Sequence, residues 1–321
     1  MKYFCLALIV ATLGATPIHA QTYPAKVVRG IVPSAPGGSI DIVGRLVAQK
    51  FTDMMGQQFI IENRAGAAGT IGVTVVAKAP PDGYTLLVAS QSGIAAAPGL
   101  IRNLPYDPLH DLTPLALLVI QPSVLVVHPS LPVRTTKEFI ALAKAQPGLL
   151  TYGSSGIGAT QHLSAELFGM MTGTELRHIP YKGGALAMTD VLGGQIYFMF
   201  SPVATATPYL AAGKMRAIAV TSTRRVESLP NVPTLDESGV RGYDYSSWIG
   251  LLGPAHLPRE IVVKLNAESA KAVAEPGLRR KLLDLGLDIP PATTPEQFAK
   301  FIAQDIALNA KVIKQAKVQP E

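Results

Sequence analysis

Cysteine is almost absent from this chain of 321 residues. Its one cysteine, Cys5, lies within an N-terminal stretch that has the pattern of an export signal: a lysine, an apolar run over residues 4–13, and the small residue Ala20 before a cut. We predict a signal peptide of residues 1–20 with cleavage after Ala20. The mature chain then contains no cysteine, which excludes disulfides, a thiol nucleophile and cysteine ligation of a metal.

Charged residues are also scarce, at 16% of the chain, and long apolar runs are missing. The 28 lysines and arginines exceed the 22 acidic residues by six. They are scattered apart from Arg224-Arg225 and residues 279–281, which we interpret as a solvated helix face. A nucleic-acid partner would need a basic stripe, so none is expected, whereas a weak positive potential favours small anions. Because no run beyond the signal reaches the length of a membrane span, no spanning helix is predicted.

Short apolar runs alternate with helical patterns along nearly the whole chain, which is typical of an α/β fold with parallel or mixed sheets. Residues 27–32 are predicted to form a strand, followed by a Gly-rich loop and a helix from Ile40 with Ser39 as its N-cap. The same order recurs after a strand at residues 149–153. Near the end of the chain, Thr294 opens a capping box that predicts the last helix. The length predicts about two domains.

A Gly-rich loop between a strand and a helix is the feature with the clearest chemical meaning, and it occurs at residues 33–41 and again at residues 153–163. The free N–H groups and the positive dipole end of such a helix start attract a carboxylate or phosphate. Two loops of this kind that face each other can hold one anion. An ordinary βα turn with small residues stays open as the alternative for either loop taken alone.

Motifs for catalysis and for metal binding are missing. Residues 153–157 lack the last glycine of G-x-S-x-G, residues 156–161 do not match G-x-G-x-x-G, and no P-loop lysine follows the glycines at 66–72. The histidines of the mature chain are His110, His128, His162, His178 and His256, none within four residues of another. We therefore predict no catalytic residues, no metal and no cofactor.

Three positions near these loops have two interpretations each. His162 follows the second loop at a helix start, and it either meets a ligand or is structural. Tyr181, next to Lys182, either lines the same site or lies on the surface. Trp248, the one tryptophan, either shapes a cleft wall or belongs to a core aromatic cluster.

An ordered series of motifs resembles the signatures of one family over essentially the whole mature chain. The motifs are PSAPGGSID at 33–41, IENRAGAAG at 61–69, PDGYTLL at 81–87, YDP at 106–108, SSGIG at 154–158, HL at 162–163, PYKG at 180–183, GGQ at 193–195 and LPNVPT at 229–234. In this order they resemble the Bug family, the extracytoplasmic solute receptors of tripartite tricarboxylate transporters. The match is weakest at Ser34, where the family usually has a bulky residue, and at Ala65 and Ala68, which replace its usual Pro and Gly.

This resemblance implies a two-lobed periplasmic binding protein of type II, which closes over a ligand between its lobes. The implied first lobe comprises residues 21–104 and 223–321, and the second comprises residues 105–222. The implied function is capture of a small organic carboxylate in the periplasm, by a monomer without enzymatic activity, and delivery to membrane transporter subunits. The carboxylates include mono-, di- and tricarboxylates, aromatic acids and amino acids. A receptor for a signalling partner is the alternative, and a hydrolase using Ser154 or Ser155 is the least favoured one.

The helix-start argument and the resemblance together predict a ligand site. We expect backbone amides of Gly37, Gly38, Gly156 and Gly158 to receive a carboxylate, with nearby side chains orienting it or holding bridging waters. The predicted ligand-binding residues are Ser34, Ala35, Gly37, Gly38, Asp41, Ser90, Gln91, Ser154, Ser155, Gly156, Gly158, Thr160, His162 and Tyr181. Because Asp41 cannot pair directly with an ionised carboxylate, we assign it to holding a water or the loop.

Overall fold

Two five-stranded β-sheets with flanking helices form the described part of the chain, residues 23–66 and 69–318 of a computed structural model. The α/β fold predicted from the alternation of strands and helices is confirmed. The predicted signal peptide and the motif residue Ala68 lie outside the described residues.

The first sheet is built from both ends of the chain. Its elements are β1 Val28–Val32, α1 Ser39–Met55, β2 Phe59–Asn63, α2 Thr70–Ala77, β3 Thr85–Ser90, β4 Leu112–Gln121 and β10 Ser247–Pro254, with a π-helical turn Ser92–Ala96 and the short helix α3 Ala97–Leu100 after β3. The strand order is β2-β1-β3-β10-β4. β1 pairs in parallel with β2 and β3, whereas β10 runs antiparallel to β3 and β4.

The second sheet repeats this plan. Its elements are β5 Ser123–Val127, α4 Thr136–Ala145, β6 Thr151–Ser154, α5 Thr160–Thr172, β7 Arg177–Pro180, α6 Gly184–Leu192, β8 Phe198–Pro202, α7 Val203–Ala211 and β9 Arg216–Val220. The strand order is β7-β6-β8-β5-β9. β6 pairs in parallel with β7 and β8, and β5 runs antiparallel to β8 and β9.

Apolar periodicity explains how the helices attach to the sheets. In α1, Val43, Val47 and Phe51 recur at four-residue spacing, and all three are buried against the first sheet. Gly56 ends this helix in the left-handed conformation that glycine adopts without strain. Leu163 and Leu167 of α5 pack in the same way into the core of the second sheet.

In each sheet there is one strand at which the strand order reverses, because successive connections lead to opposite sides of it. From β1 the chain passes through α1 to β2 on one side and returns through α2 to β3 on the other side. The second sheet does the same around β6, with β7 and β8 as its neighbours. In open α/β sheets, the crevice beyond the carboxyl end of the strands at such a point is where ligands bind.

The two crossings between the sheets bring these carboxyl ends together. β4 is parallel to β1 and leads through Pro122 into β5, which starts where β6 ends because β5 is antiparallel to β8. The return crossing leads from the end of β9 to the start of β10, and it joins the same two edges. Where the crossings run side by side, the amide of Ser123 donates to the hydroxyl of Thr221, and the carbonyl of Ser123 accepts from the amide and the hydroxyl of Thr221. The carboxyl edges of the two sheets therefore face each other. We call the two crossings between them, at Pro122 and before Ser247, the hinge.

The strands place the crossings at positions that differ from the predicted lobe boundaries. The sequence predicts a first crossing near residue 104, whereas β4 pairs with β10 in the first sheet and the chain crosses at Pro122. The return crossing ends just before Ser247, and Leu235 and Tyr243 pack into the core of the second sheet. The crossing lies later than predicted because β4 pairs with β10 from Leu112 to Gln121, which keeps the chain in the first sheet as far as Pro122. The limits of each lobe as a unit stay a prediction.

The C-terminal helices cover the first sheet, and the last one also reaches the second. They are α8 Arg259–Ala274, α9 Pro276–Asp284 and α10 Pro295–Gln315. The predicted capping box of α10 is confirmed, because Thr294 and Gln297 exchange both hydrogen bonds. Near its start, Phe298 packs in a core cluster of the first sheet, and near its end Val312 and Ile313 pack into the core of the second.

A buried carboxylate on α10 ties this helix to the hinge. Asp305 accepts hydrogen bonds from Trp248 Nε1 (2.7 Å), Gln91 Nε2 (3.1 Å) and Asn309 Nδ2 (2.9 Å). Asn309 in turn accepts a hydrogen bond from the hydroxyl of Tyr245. Trp248 is fully buried with its ring at 84° to that of Phe298, so it belongs to the core and not to a cleft wall.

We predict that Trp248→Phe lowers the free energy of unfolding by about 1–3 kcal/mol, because it leaves one buried oxygen of Asp305 without its donor. Denaturant unfolding followed by circular dichroism measures this change. The control is Tyr197→Phe, in which the side chain is 41% exposed, and it should change stability by less than about 0.5 kcal/mol. Equal stability of the two variants would contradict the role of this hydrogen bond.

Candidate functional site

The predicted site residues collect at the two facing sheet edges. β1 is followed by Ser34, Ala35, Gly37, Gly38 and Asp41. β3 ends at Ser90 and is followed by Gln91, β6 ends at Ser154 and is followed by the group from Ser155 to His162, and β7 is followed by Tyr181. The topology thus brings two loops, residues 33–38 and 155–159, to opposite sides of the hinge. We call them the first loop and the second loop.

Asp41 holds the first loop from within α1. Its carboxylate accepts hydrogen bonds from the Gly37 amide (2.9 Å), from Arg45 Nε (3.1 Å) and from Asn63 Nδ2 (2.9 Å). Asn63 Nδ2 also lies 3.0 Å from the carbonyl oxygen of Ser34. Burial raises the pKa of Asp41, but the hydrogen bonds from Arg45, Gly37 and Asn63 outweigh burial and hold this pKa below its usual value. The ionised carboxylate therefore shapes the loop.

Ser154 and His162 hold the second loop. Ser154 is fully buried, and its hydroxyl donates to the carbonyl of Gly156 (2.8 Å) and accepts from the amide of Gly156 (3.1 Å). His162 accepts a hydrogen bond at Nδ1 from the amide of Gly158 (3.0 Å). His162 therefore contacts the loop from the first turn of α5, and its ring nitrogen Nδ1 is already hydrogen-bonded to the loop.

Three of the four glycine amides that we predict to receive the carboxylate are already bonded inside their loops. The amide of Gly37 donates to Asp41, that of Gly156 to Ser154 and that of Gly158 to His162. Side chains of the flanking strand and helices take these donors because they lie within two to four residues of them in the sequence. As the structure stands, only the amide of Gly38 has no such partner among the described residues.

The helix starts behind the loops carry the free donors instead. The N-cap of α1 is Gly38 and that of α5 is Ala159, and neither receives a side-chain hydrogen bond. The prediction that Ser39 caps α1 is wrong, because Ser39 is already the first helical residue. The first three amides of each helix, those of residues 39–41 and 160–162, have no hydrogen-bond partner among the described residues. Thr135, Glu275 and Thr294 cap α4, α9 and α10, whereas α2, α6, α7 and α8 also have no side-chain cap.

Several predicted side chains bond elsewhere in the protein. Gln91 is buried and donates to Asp305, and Tyr181 donates its hydroxyl to Asp190 of α6 at 2.6 Å. Ser90 contacts Ser92 within the turn after β3, and the hydroxyl of Ser155 donates to Gln161. These side chains can support the loops in the arrangement that the structure shows.

One polar group of the first loop has no partner among the described residues. The hydroxyl oxygen of Ser34 is buried and makes no hydrogen bond to them. Buried hydroxyls are nearly always satisfied, so this atom is suited to a bound water or a ligand oxygen. It lies in the same loop as Gly38, whose backbone caps the start of α1.

Two residues that hold the loops do not emerge from the sequence analysis. Asn63 joins the first loop to Asp41, and His178 lies with its Nε2 2.6 Å from the hydroxyl of Ser154. Asn63 belongs to the IENRAGAAG motif, which offers a signal for it. His178 faces Tyr152 through the register of β6 and β7, and only that register reveals its place beneath the second loop.

The pairing of Ser154 with His178 bears on the hydrolase alternative. A base does lie beside this serine, which the sequence does not suggest. However, Ser154 is 0% exposed, and its hydroxyl is bonded to the loop backbone. A nucleophile has to reach its substrate, so this serine is placed to hold the loop and not to attack.

Three further features concern residues 23–66 and 69–318: metal-binding clusters, membrane-spanning helices and a cavity. No group of three or more metal-binding side chains occurs among these residues, and none of their helices is long and apolar enough to cross a membrane. A cavity of about 660 Å³ lies beside α10 and the return crossing, lined in part by Asp305, Phe301 and Arg224. It includes Gln91 but neither loop.

Comparison with known proteins gives one consistent family. The family profile described as "Tripartite tricarboxylate transporter family receptor" matches residues 43–318. The chain is similar to protein BugT of Bordetella pertussis, with 35% identity over 312 residues, 97% of this chain and 95% of that one.

Two solved structures that resemble this fold carry small acids. One is R. palustris Rpa4515 with adipate, at 37% identity and a TM-score of 0.79, covering 93% of this chain and 100% of that one. The other is MatC (Rpa3494) from Rhodopseudomonas palustris with bound malate, at 32% identity and a TM-score of 0.75, covering 91% of this chain and 100% of that one. These similarities confirm the predicted two-lobed binding-protein fold.

We predict that Asp41→Ala lowers the free energy of unfolding at pH 7 by about 2 kcal/mol, because it removes an ionised acceptor of several hydrogen bonds. The pKa of Asp41 is lowered in the folded protein, so its contribution is present above about pH 4 and is lost as the pH falls further. Urea unfolding at pH 7 and at acidic pH measures this difference. Asp53→Ala, at an exposed position of the same helix, is the control, and an equal loss in both variants would contradict the assignment.

Proposed function

The chain belongs to the tripartite tricarboxylate transporter receptor family, and from this membership we propose that it captures a small aliphatic dicarboxylate between its lobes. It is a solute-binding receptor and not an enzyme, as the family and the similar structures establish. What the proposal adds is the class of ligand and the groups that hold it.

The observation that carries this proposal is the pair of uncapped helix starts that follow β1 and β6, the strands at which the order of each sheet reverses. The first-turn amides of α1 and of α5 have no partner among the described residues, and the two helices begin at facing sheet edges. An anion at a helix N-terminus is stabilised by the N–H donors and by the helix dipole together. One carboxylate between two such termini would satisfy donors from both lobes without an arginine.

The similar structures support a dicarboxylate. Adipate and malate each carry two carboxylates on an aliphatic chain, and each is bound by a protein more than 30% identical to this chain. In this proposal the first carboxylate lies between the helix starts. The hydroxyl of Ser34 holds a water or a carboxylate oxygen beside it, since that atom is buried without a partner among the described residues.

Closure of the lobes follows from the position of the ligand. No hydrogen bond or ion pair joins the first loop to the second among residues 23–66 and 69–318. At this edge the side chain of Leu100, after β3, lies close to Gly158 of the second loop. A Cβ atom added to Gly158 would lie only 2.6 Å from Leu100 Cδ1. A carboxylate that contacts both helix starts binds the closed form more tightly than the open form, so it shifts the lobes toward closure.

Location and partners complete the proposal. Members of this family are periplasmic receptors that work with transporters. We extend this to export of the present chain with cleavage after Ala20, and to delivery of the dicarboxylate, by a monomer, to the membrane subunits of a tripartite transporter. The closed lobes would present the surface that those subunits recognise.

We predict that refolded mature protein binds adipate or malate in calorimetry with one site per chain. The matched control is adipamide, which has the same chain length but no charge, and it should bind about tenfold more weakly or worse because it loses the interaction of an anion with two helix starts. Equal binding of adipate and adipamide, or no binding of either acid, would contradict the proposal.

Small-angle scattering on the same samples tests closure separately. Saturating adipate or malate should reduce the radius of gyration, whereas adipamide at equal concentration should not. A dicarboxylate that binds tightly with an unchanged scattering profile would retain the ligand class and refute closure.

A further inference from the structure

Two stacked histidines lie beneath the second loop. The rings of His162 and His178 have centroids 3.9 Å apart and planes at 8° to each other. They come from different elements, α5 and β7. Tyr152 of β6 stacks on His178 at 5.0 Å, because the parallel register of β6 and β7 pairs these two residues.

Each ring is linked to one half of the second loop. His178 Nε2 lies 2.6 Å from the hydroxyl of Ser154, which is bonded to both the carbonyl and the amide of Gly156. His162 Nδ1 accepts directly from the amide of Gly158. The stacked pair therefore fixes the two peptide groups on either side of Ile157, which is 61% exposed at the tip of the loop.

The loop backbone needs such support. Gly156 has φ 138° and Gly158 has φ 74°. Glycine can adopt many other backbone conformations, so ordering it costs more conformational entropy than ordering other residues. A loop with two such residues settles into one shape only if other groups hold it. The histidine pair supplies these contacts, and the start of α5 follows directly after the loop.

The hydrogen bonds define the protonation state of both rings. Nδ1 of His162 is an acceptor, so the proton of this neutral ring is on Nε2. The one hydroxyl proton of Ser154 is donated to Gly156, so Nε2 of His178 donates to Ser154. Burial lowers the pKa of His162 to about 3 and that of His178 to about 4. Both rings are therefore neutral at pH 7.

The groups that face the pair are consistent with neutral rings. The hydroxyl of Tyr152 donates to Oε1 of Glu166 at 2.6 Å. The same oxygen lies 3.8 Å from Nε2 of His162. Burial raises the pKa of Glu166. At 3.8 Å, Glu166 and His162 are too far apart for a hydrogen bond.

We propose that His178 is a positioning residue for carboxylate binding, which sets the second loop, and with it the start of α5, through Ser154 and through its stack on His162. This inference rests on the proposed function, because it concerns the same ligand site. His178 touches the loop from below, so it acts on the ligand only through other residues.

The test compares variants that separate the ring from its N–H group. His178→Phe keeps an aromatic ring for stacking but has no donor for Ser154, whereas His178→Gln can still donate at a similar reach. Ser154→Ala removes the same link from the other side. Because it also removes the acceptor of the Gly156 amide, it replaces His178→Phe only in the measurement of adipate affinity, if His178→Phe does not fold. His110→Phe, at an exposed position just before β4 of the first sheet, is the matched control.

The first readout needs no ligand. Hydrogen exchange of the Gly156 amide, followed by NMR, should be about tenfold faster in His178→Phe than in the wild type, because the loop opens locally. In His178→Gln and His110→Phe it should stay near the wild-type rate.

The second readout is adipate affinity by calorimetry. His178→Phe should bind adipate about tenfold more weakly, which corresponds to about 1.4 kcal/mol, and His178→Gln should recover most of this loss. Unchanged exchange in His178→Phe, or faster exchange with unchanged adipate affinity, would overturn the inference. If the wild type binds no adipate, the proposed ligand class has failed, and the exchange rates alone still decide whether His178 holds the loop.

Discussion

The backbone amides at the start of α1 and α5 are the constraint around which this protein is organised. A helix start needs acceptors for its first N–H groups, and α4 and α10 each obtain one from a threonine cap, Thr135 and Thr294. α1 and α5 have no such cap. Glycine and alanine at these two N-caps leave the donors open to an anion from outside. In the proposed function, the loops, the hinge and the supporting side chains present these donors to the ligand.

Repetition of one topology explains why the two helix starts meet. In each sheet the first parallel strand lies between the other two, so α1 and α5 begin at equivalent edges. The crossings at Pro122 and before Ser247 join those edges. α10 packs on both sheets and, through Asp305, ties Trp248 to Gln91 beside the hinge. The recognition and the closure that we propose thus depend on the same geometry.

The sequence predicts much of this architecture because local patterns encode it. Apolar runs, Gly-rich loops and the capping box at Thr294 are local, and the structure confirms the α/β fold, the two similar units and the last helix. The choice of donors was not predictable in the same way. Whether Gly37 or Gly158 keeps a free amide depends on where Asp41 and His162 point. His178 is beneath the second loop only through strand register, which no local pattern specifies.

NMR titration of the amide groups shows whether the two uncapped helix starts bind the carboxylate. With adipate added to the refolded mature protein, the amides of residues 39–41 and 160–162 should shift together and saturate at one equivalent. The capped first turns of α4 and α10 provide the internal reference and should shift little. Saturable binding of adipate that leaves both uncapped helix starts unshifted would contradict the account, because the carboxylate would then be held by other groups.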